Sequence, residues 1–393
     1  MLKLNFKKLP AGIWALGFVS MFMDISSELV HSLLPVFMVS VLGTSVTAVG
    51  FVEGVAEAIA LIVKVFSGYL SDLLKKRKLL ALIGYSLAAF TKPLFPLANS
   101  LAAVMTARFT DRIGKGIRGA PRDALIADIT PASDRGAAFG LRQSLDTIGA
   151  IAGPLLAIFF MWLFLEDIRM VMWIAVIPAF ISVTILAFGV KEPEIKKLKG
   201  KAEVPIRFSD VLRIGPAYWQ VVIIAAILTL ARFSEAFLIL KTQNIGVTMA
   251  LIPIVMVIMN IAYTLSAYPA GLISDTFGRR NMLLIGILFL IAADFTLALA
   301  DNIWLVGGGV ILWGLHMGSS QGVLAAMIAD KAPSHLRGTA FGVFNLVLGF
   351  TLLAASILAG VLWDSYGPSA TFYAGAIFAA IAFASLILAR KKI

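Results

Sequence analysis

The sequence contains no cysteine in 393 residues. Disulfides, thiolate metal sites and cysteine nucleophiles are thereby excluded. Charge is scarce: 14% of residues are Asp, Glu, Lys or Arg, where soluble domains carry about 25%. Histidine occurs three times. No G-x-x-x-x-G-K-[ST] phosphate loop is present, so the sequence offers no such route to ATP hydrolysis. No nucleophile–base pattern marks an enzyme, and no cofactor is expected. What dominates is apolar: 60% of residues are hydrophobic, and mean hydropathy is +0.94. A bilayer-crossing helix needs about 20 mostly apolar residues. A soluble enzyme, a nucleic-acid binder and a disordered chain are therefore excluded in favour of a polytopic membrane protein.

Apolar stretches fall near 11–41, 48–71, 79–98, 101–127, 137–164, 168–190, 217–240, 248–273, 281–300, 303–329, 338–362 and 368–389. They predict an all-α protein of twelve transmembrane helices. A β-barrel would need alternating segments of about ten residues, and these runs are longer and not alternating. The first run, from Ile13, reads as a span rather than a cleavable signal. With both termini placed in the cytoplasm, 22 Lys and Arg fall in cytoplasmic segments and 2, Arg169 and Lys241, on the other side. This asymmetry fixes the orientation and explains the formal charge of +11 without nucleic acid. The one long polar loop, 191–216, divides the spans six and six. The expected organisation is a bundle over 1–190, a cytoplasmic linker over 191–216 lying on anionic lipid, and a second bundle over 217–393.

The halves repeat. Residues 124–140 read ALIADITPASDRGAAFG, and residues 326–342 read AMIADKAPSHLRGTAFG. Asp128, Arg135, Gly136, Phe139 and Gly140 recur 202 positions later as Asp330, Arg337, Gly338, Phe341 and Gly342. GYLSD from Gly68 recurs as GLISD from Gly271. A duplicated six-helix unit marks many secondary transporters. With these motifs the whole chain resembles the major facilitator superfamily, whose loop after the second helix has the form G-x-x-x-D-R-x-G-R-R. The second half keeps Gly271, Asp275, Gly278, Arg279 and Arg280, with Thr276 in place of Arg. The first half keeps Gly68 and Asp72 but has Leu73 and Lys75 where the pattern has Arg and Gly. The resemblance implies twelve helices in two pseudo-symmetric bundles, a monomer, and a cytoplasmic gate at these loops with Arg135 and Arg337. Gly149, Gly153 and Pro154 form a G-x-x-x-G-P pattern that resembles the family's exporter and antiporter branch. The same glycines also read simply as a helix-packing motif.

Charges at bilayer depth are expensive, at least ~2.5–3.5 kcal/mol each. Nine cations and nine anions fall within the spans, fifteen of the eighteen in the first half. Asp24, Glu28 and His31 share one face of the first helix and can hold a proton, a metal or a cationic ligand, or pair with a neighbouring Arg. On the second helix Glu57 lies deep, whereas Glu53 falls near the outer end, where a solvated carboxylate needs no partner. Arg108, Arg112 and Lys115 make a cationic stripe on the fourth helix beside Asp111, suited to a carboxylate or phosphate. Arg142 and Asp146 can pair at i, i+4. The family's binding cavities draw on helices 1, 4, 7 and 10, which adds Arg232 and Glu235, with His316 more simply a packing residue.

The expected function is a secondary active transporter of the cytoplasmic membrane. It moves a small polar or amphiphilic solute by alternating access, coupled to protons, with export suggested by the fifth helix. The alternative on the same fold is a metal-ion or metal-chelate transporter using Asp24, Glu28 and His31. A non-transporting receptor is the remaining reading.

Overall fold

The computed structural model describes residues 9–74, 76–131, 134–192, 215–332 and 336–389. The expected linker, apart from its first two and last two residues, lies outside them. So do Lys3, Lys7, Lys8 and Arg390 to Lys392, and the side chains of Asp72 and Arg337. Among the described residues twelve helical segments follow one another: α1 Ala11–Val41, α2 Val46–Leu74, α3 Arg77–Leu97, α4 Leu101–Ile129, α5 Arg135–Leu163, α6 Ile168–Gly189, α7 Pro216–Asn244, α8 Met249–Phe277, α9 Arg279–Leu299, α10 Ile303–Lys331, α11 Arg337–Tyr366 and α12 Pro368–Leu388. Eleven are long and apolar enough to cross a membrane; α4 has the length but carries too many charges. Ser100 and Asn302 cap α4 and α10 at equivalent places, each accepting backbone N–H groups of the first turn.

Five of the spans are not continuous α-helices: α3 breaks at Lys92 and Pro93, α6 at Ala175 and α8 after Leu251, and the breaks in α1 and α7 carry polar residues. α1 runs regularly to His31, turns at Ser32 and Leu33, and finishes as a π-turn over Phe37–Val41. Pro35 is the cause: it has no N–H for the His31 carbonyl, and its ring crowds that carbonyl. α7 is helical over Pro216–Ala231 and Ala236–Asn244, and is interrupted at Arg232, Phe233, Ser234 and Glu235. Hydroxyls serve the interruption. The Ser234 N–H donates to Ser356 Oγ at 3.2 Å, and the Ala236 N–H donates to Ser234 Oγ at 3.2 Å.

Contacts divide the chain into two compact units, residues 1–34 with 59–199 and residues 35–58 with 200–393. In the first, α1 packs on α5 and α6, and α3 on α4. Ile13, Leu16, Val19 and Met23 of α1 meet Ala81 and Tyr85 of α3, Leu125 of α4 and Leu186 of α6 in its core. In the second, α7 packs on α11 and α12, and α9 on α10. Its centre is aromatic, with Phe233 against Phe237, Trp313 and Phe372. Each pairing of the first unit thus has its counterpart six helices later. The repeat extends to single ion pairs: Arg77 meets Asp128 at 2.9 Å, and Arg279 meets Asp330 at 2.9 Å, each residue 202 positions from its equivalent.

Candidate substrate site

The charges of α1 stand where the glycines of α5 let the two helices meet. A Cβ on Gly149 would lie 2.6 Å from the Met21 carbonyl oxygen and 3.0 Å from Asp24 Cβ. One on Gly153 would lie 2.8 Å from the Ile25 carbonyl and 2.9 Å from Glu28 Cβ. The G-x-x-x-G-P motif is therefore the seat of the two carboxylates. Ser26 and Ser182 tie α1 to α6 through the Ala175 and Val19 carbonyls, each at 2.7 Å. The α1 stripe is held on two sides.

The third wall is α4. The charges acting on Asp24 are Asp146, Arg118, Glu28 and Lys115; those acting on Glu28 are His31, Lys115 and Arg112. His31 Nδ1 lies 3.5 Å from Glu28 Oε2. Asp24, Glu28 and His31 of α1 thus lie within electrostatic reach of Arg112, Lys115 and Arg118 of α4 and Asp146 of α5. Asp111 lies beside this group, its Oδ2 4.0 Å from Arg112 Nε. It takes the Lys92 ammonium at 2.9 Å, and Lys92 also donates to Ser27 Oγ at 3.1 Å. Lys92 and Asp111 are both buried, as is Arg108 beside them on α4. Arg142 pairs with Asp146 within α5 and reaches Asp123 at 4.0 Å. Closer to the α4 end, Arg122 donates to Ser20 Oγ at 2.9 Å and holds Asp123 at 3.1 Å. Arg118 stacks over Tyr85, 4.8 Å from the ring centroid.

The second unit has a smaller polar cluster at the α7 interruption. With the Gln321 amide turned so that its oxygen faces Arg232, the guanidinium donates to it at 3.2 and 3.3 Å. Arg232 and Glu235 bound the interruption, between Ala231 and Ala236. His316 is wholly buried, and its Nδ1 meets the Gly286 carbonyl at 2.8 Å, the packing role expected of it. Glu53 corrects its expectation: it is 1% exposed rather than solvated at a helix end. Glu57, one turn on, is partly buried, and both belong to the second unit. Among the described residues no three His, Asp or Glu side chains gather as a metal ion would require.

The residues expected at a cytoplasmic gate lie toward helix ends. Arg279 takes Asp330, and Arg280 donates to the Leu386 and Ile387 carbonyls that close α12, at 3.0 and 2.8 Å. Gly278 joins α8 to α9 at a φ of +94°, which side-chain-bearing residues rarely adopt. Ser274, Asp275 and Arg279 line a cavity of about 550 Å³ there. Arg135 donates to the Ala127 carbonyl at 3.2 Å. Gly68 approaches Ala120 Cβ, while Gly271 faces open space. Sequence reasoning missed Lys92 as a site-organising residue, although its signal, a lysine inside an apolar run, was plain. It missed Gln321 as well, which no pattern marked.

Comparison with known proteins follows this geometry. A family model described as the Major Facilitator Superfamily matches residues 16–244 and 236–392. An uncharacterised MFS-type transporter of Methanocaldococcus jannaschii is 32% identical over 385 residues, covering 96% of this chain and 94% of that protein. Among solved structures, a point mutant of the nucleoside transporter NupG superposes with a TM-score of 0.82 at 14% identity, covering 95% of this chain and 98% of that one. A POT family transporter in complex with a thioalcohol-conjugated peptide superposes at 0.79 and 13% identity, covering 98% and 96%.

Proposed function

The chain belongs to the major facilitator superfamily of membrane transporters, and on that premise we propose that it is a proton-coupled secondary transporter of a small anionic or zwitterionic solute. One observation carries the reading: the two α1 carboxylates, seated against the α5 glycines, lie within electrostatic reach of Arg112, Lys115 and Arg118 of α4. A carboxylate within reach of cationic side chains is suited to trading a proton for a substrate anion, because either can complete the same charge balance. Guanidinium groups favour planar carboxylate or phosphate ligands. The interrupted α7 beside Arg232 and Glu235 supports a second contact region, since broken helices release backbone groups for binding. The named cargoes of the two solved structures are a nucleoside and a peptide; at 13 and 14% identity they bear on the fold alone. The solute class is read here from the chain's own charges. The charge asymmetry supports a place in the cytoplasmic membrane with both termini inside. The helix-5 motif supports export.

The test is thermal unfolding of the purified protein in detergent with glutamate, benzoate or tetraphenylphosphonium. Benzoate or glutamate is expected to raise the melting temperature, and Arg112→Ala to abolish that rise. Stabilisation by tetraphenylphosphonium alone, lost in Asp24→Ala and kept in Arg112→Ala, overturns the anion reading. In liposomes containing pyranine, the stabilising anion is expected to drive proton movement in the parent and not in Asp24→Asn. Equal movement in both removes Asp24 from the coupling role.

A further inference from the structure

Asp294 of α9 is a buried acid without a partner. It is wholly buried, and neither carboxylate oxygen has a hydrogen-bond partner among the described residues. No charged side chain among them acts on it. α9 packs on α10 and α12 and touches α8. From α10 the titratable group at depth is His316, whose Nδ1 is taken by the Gly286 carbonyl, eight residues before Asp294. From α12 it is Tyr373, against Phe295. α8 carries Tyr263 and Tyr268. Asp275 of α8, with Asp330 and Lys331 of α10, lies at the far end of the helices. An ionised carboxylate at Asp294 would have neither water nor a counter-charge, which burial at bilayer depth does not tolerate.

The room for this acid is built. A Cβ on Gly375 of α12 would lie 2.7 Å from Asp294 Oδ2 and 3.0 Å from its Cγ. A carboxyl that makes no hydrogen bond adds nothing to the packing there, so its presence calls for another use. The internal repeat supplies a second observation. Lys92 and Asp111, paired at 2.9 Å in the first unit, have Asp294 and Trp313 as their counterparts 202 positions on. Acceptor and donor have changed places. Trp313 is wholly buried, and its indole Nε1 also lacks a partner. α10 reaches α9 one turn before it, where a Cβ on Gly309 would lie 3.4 Å from the carbonyl oxygen of Ala293, the neighbour of Asp294. A metal ion would need several more ligands; a proton needs one lone pair. Asp294 lies five residues short of Leu299, where α9 ends, so about 7.5 Å of helix separates it from that end.

We propose that Asp294 is a second proton-binding site, in the second unit and on none of the helices that supply the α1 carboxylates and their cations. It holds a proton at neutral pH and exchanges it with water from the α9–α10 end. In the exchange the O–H bond breaks, its electron pair stays on the carboxylate, and the proton passes to water. The Trp313 N–H then serves as donor to the carboxylate until a proton returns. A part for this proton in coupling rests on the transporter reading; the site itself does not.

Infrared absorption of the purified protein, in a detergent without carbonyl groups, tests this. Protonated carboxyl groups absorb above the amide band, where ionised ones do not. Asp294→Asn is expected to remove one such component at neutral pH, and Asp301→Asn, an exposed acid between α9 and α10, to keep it. Transfer to heavy water is expected to shift that component, and Trp313→Phe to slow the shift about tenfold, the effect of one lost hydrogen bond on the proton equilibrium. Each variant is scored only if it elutes as the parent does. Asp294→Glu, which moves the component rather than removing it, stands in should the asparagine variant aggregate. Spectra of parent and scored variant that superpose in this region overturn the site. A component that heavy water does not shift overturns the exchange, and a rate in Trp313→Phe within about twofold of the parent overturns the part of the indole. The readout needs neither solute nor gradient. An exchanging component in a protein that transports nothing would sink the transport reading and leave the proton site standing.

Discussion

Lys92 shows how a single residue can be counted in the sequence and still not be understood there. As one charge among eighteen within the spans it has no assigned partner. In the structure its ammonium is buried with the Asp111 carboxylate at 2.9 Å and a serine hydroxyl at 3.1 Å. Removing one member of such a pair leaves the other charge stranded, at a cost of about 3–5 kcal/mol, whereas replacing both with apolar groups is often neutral. Lys92→Met or Asp111→Leu alone is therefore expected to lower the melting temperature sharply, and the double substitution to recover most of the loss. A thermal double-mutant cycle checks this, and an additive cycle would contradict the pairing. The residue 202 positions on is Asp294, wholly buried, with both carboxylate oxygens lacking a hydrogen-bond partner among the described residues. Gly375 makes room for it: a Cβ there would lie 2.7 Å from Asp294 Oδ2. Asp294→Asn strands no partner, so it is expected not to lower the melting temperature, in contrast to Lys92→Met.

At the level of elements, the apolar runs place every helix to within a few residues, because a bilayer-sized apolar stretch has few other uses. Interruptions inside a run are harder to read. Pro35 signals the break in α1 in principle, yet proline is tolerated inside many membrane helices, and Pro121 lies within a continuous α4. The break in α7 has no proline at all and depends on hydroxyls from Ser234 and from Ser356, 122 residues away. The α5 glycines were legible as a packing motif, but that they seat Asp24 and Glu28 depends on which helix faces them. Methyl groups there have no room. Gly149→Ala and Gly153→Ala are each expected to cost about 1–3 kcal/mol and to reduce proton movement in liposomes together with stability. Unchanged stability would mean that α1 and α5 do not meet backbone to backbone at these glycines.

Across the whole molecule, duplication was the most legible feature, and the equal 2.9 Å pairs Arg77–Asp128 and Arg279–Asp330 are its physical counterpart. The candidate site was half legible. The residue types on α1 and α4 were evident, but which cations serve the carboxylates and which are absorbed by Asp111, Asp123 or Tyr85 is decided by packing between helices distant in sequence. The orientation inferred from 22 against 2 basic residues has its own check. In intact cells a membrane-impermeant maleimide is expected to label Asn99→Cys, between α3 and α4, and not Lys76→Cys, between α2 and α3; the reverse pattern would invert the topology. The charge density of α4 reaches further, into how the protein is made. Each Arg, Lys or Asp at mid-membrane opposes entry from the insertion machinery by about 2.5–3.5 kcal/mol, and α4 carries Arg108, Asp111, Arg112, Lys115 and Arg118 in eleven residues. Such a helix enters lipid only in company. α3 is synthesised just before it and brings Lys92 to neutralise Asp111, so the order of the genetic text doubles as an assembly schedule.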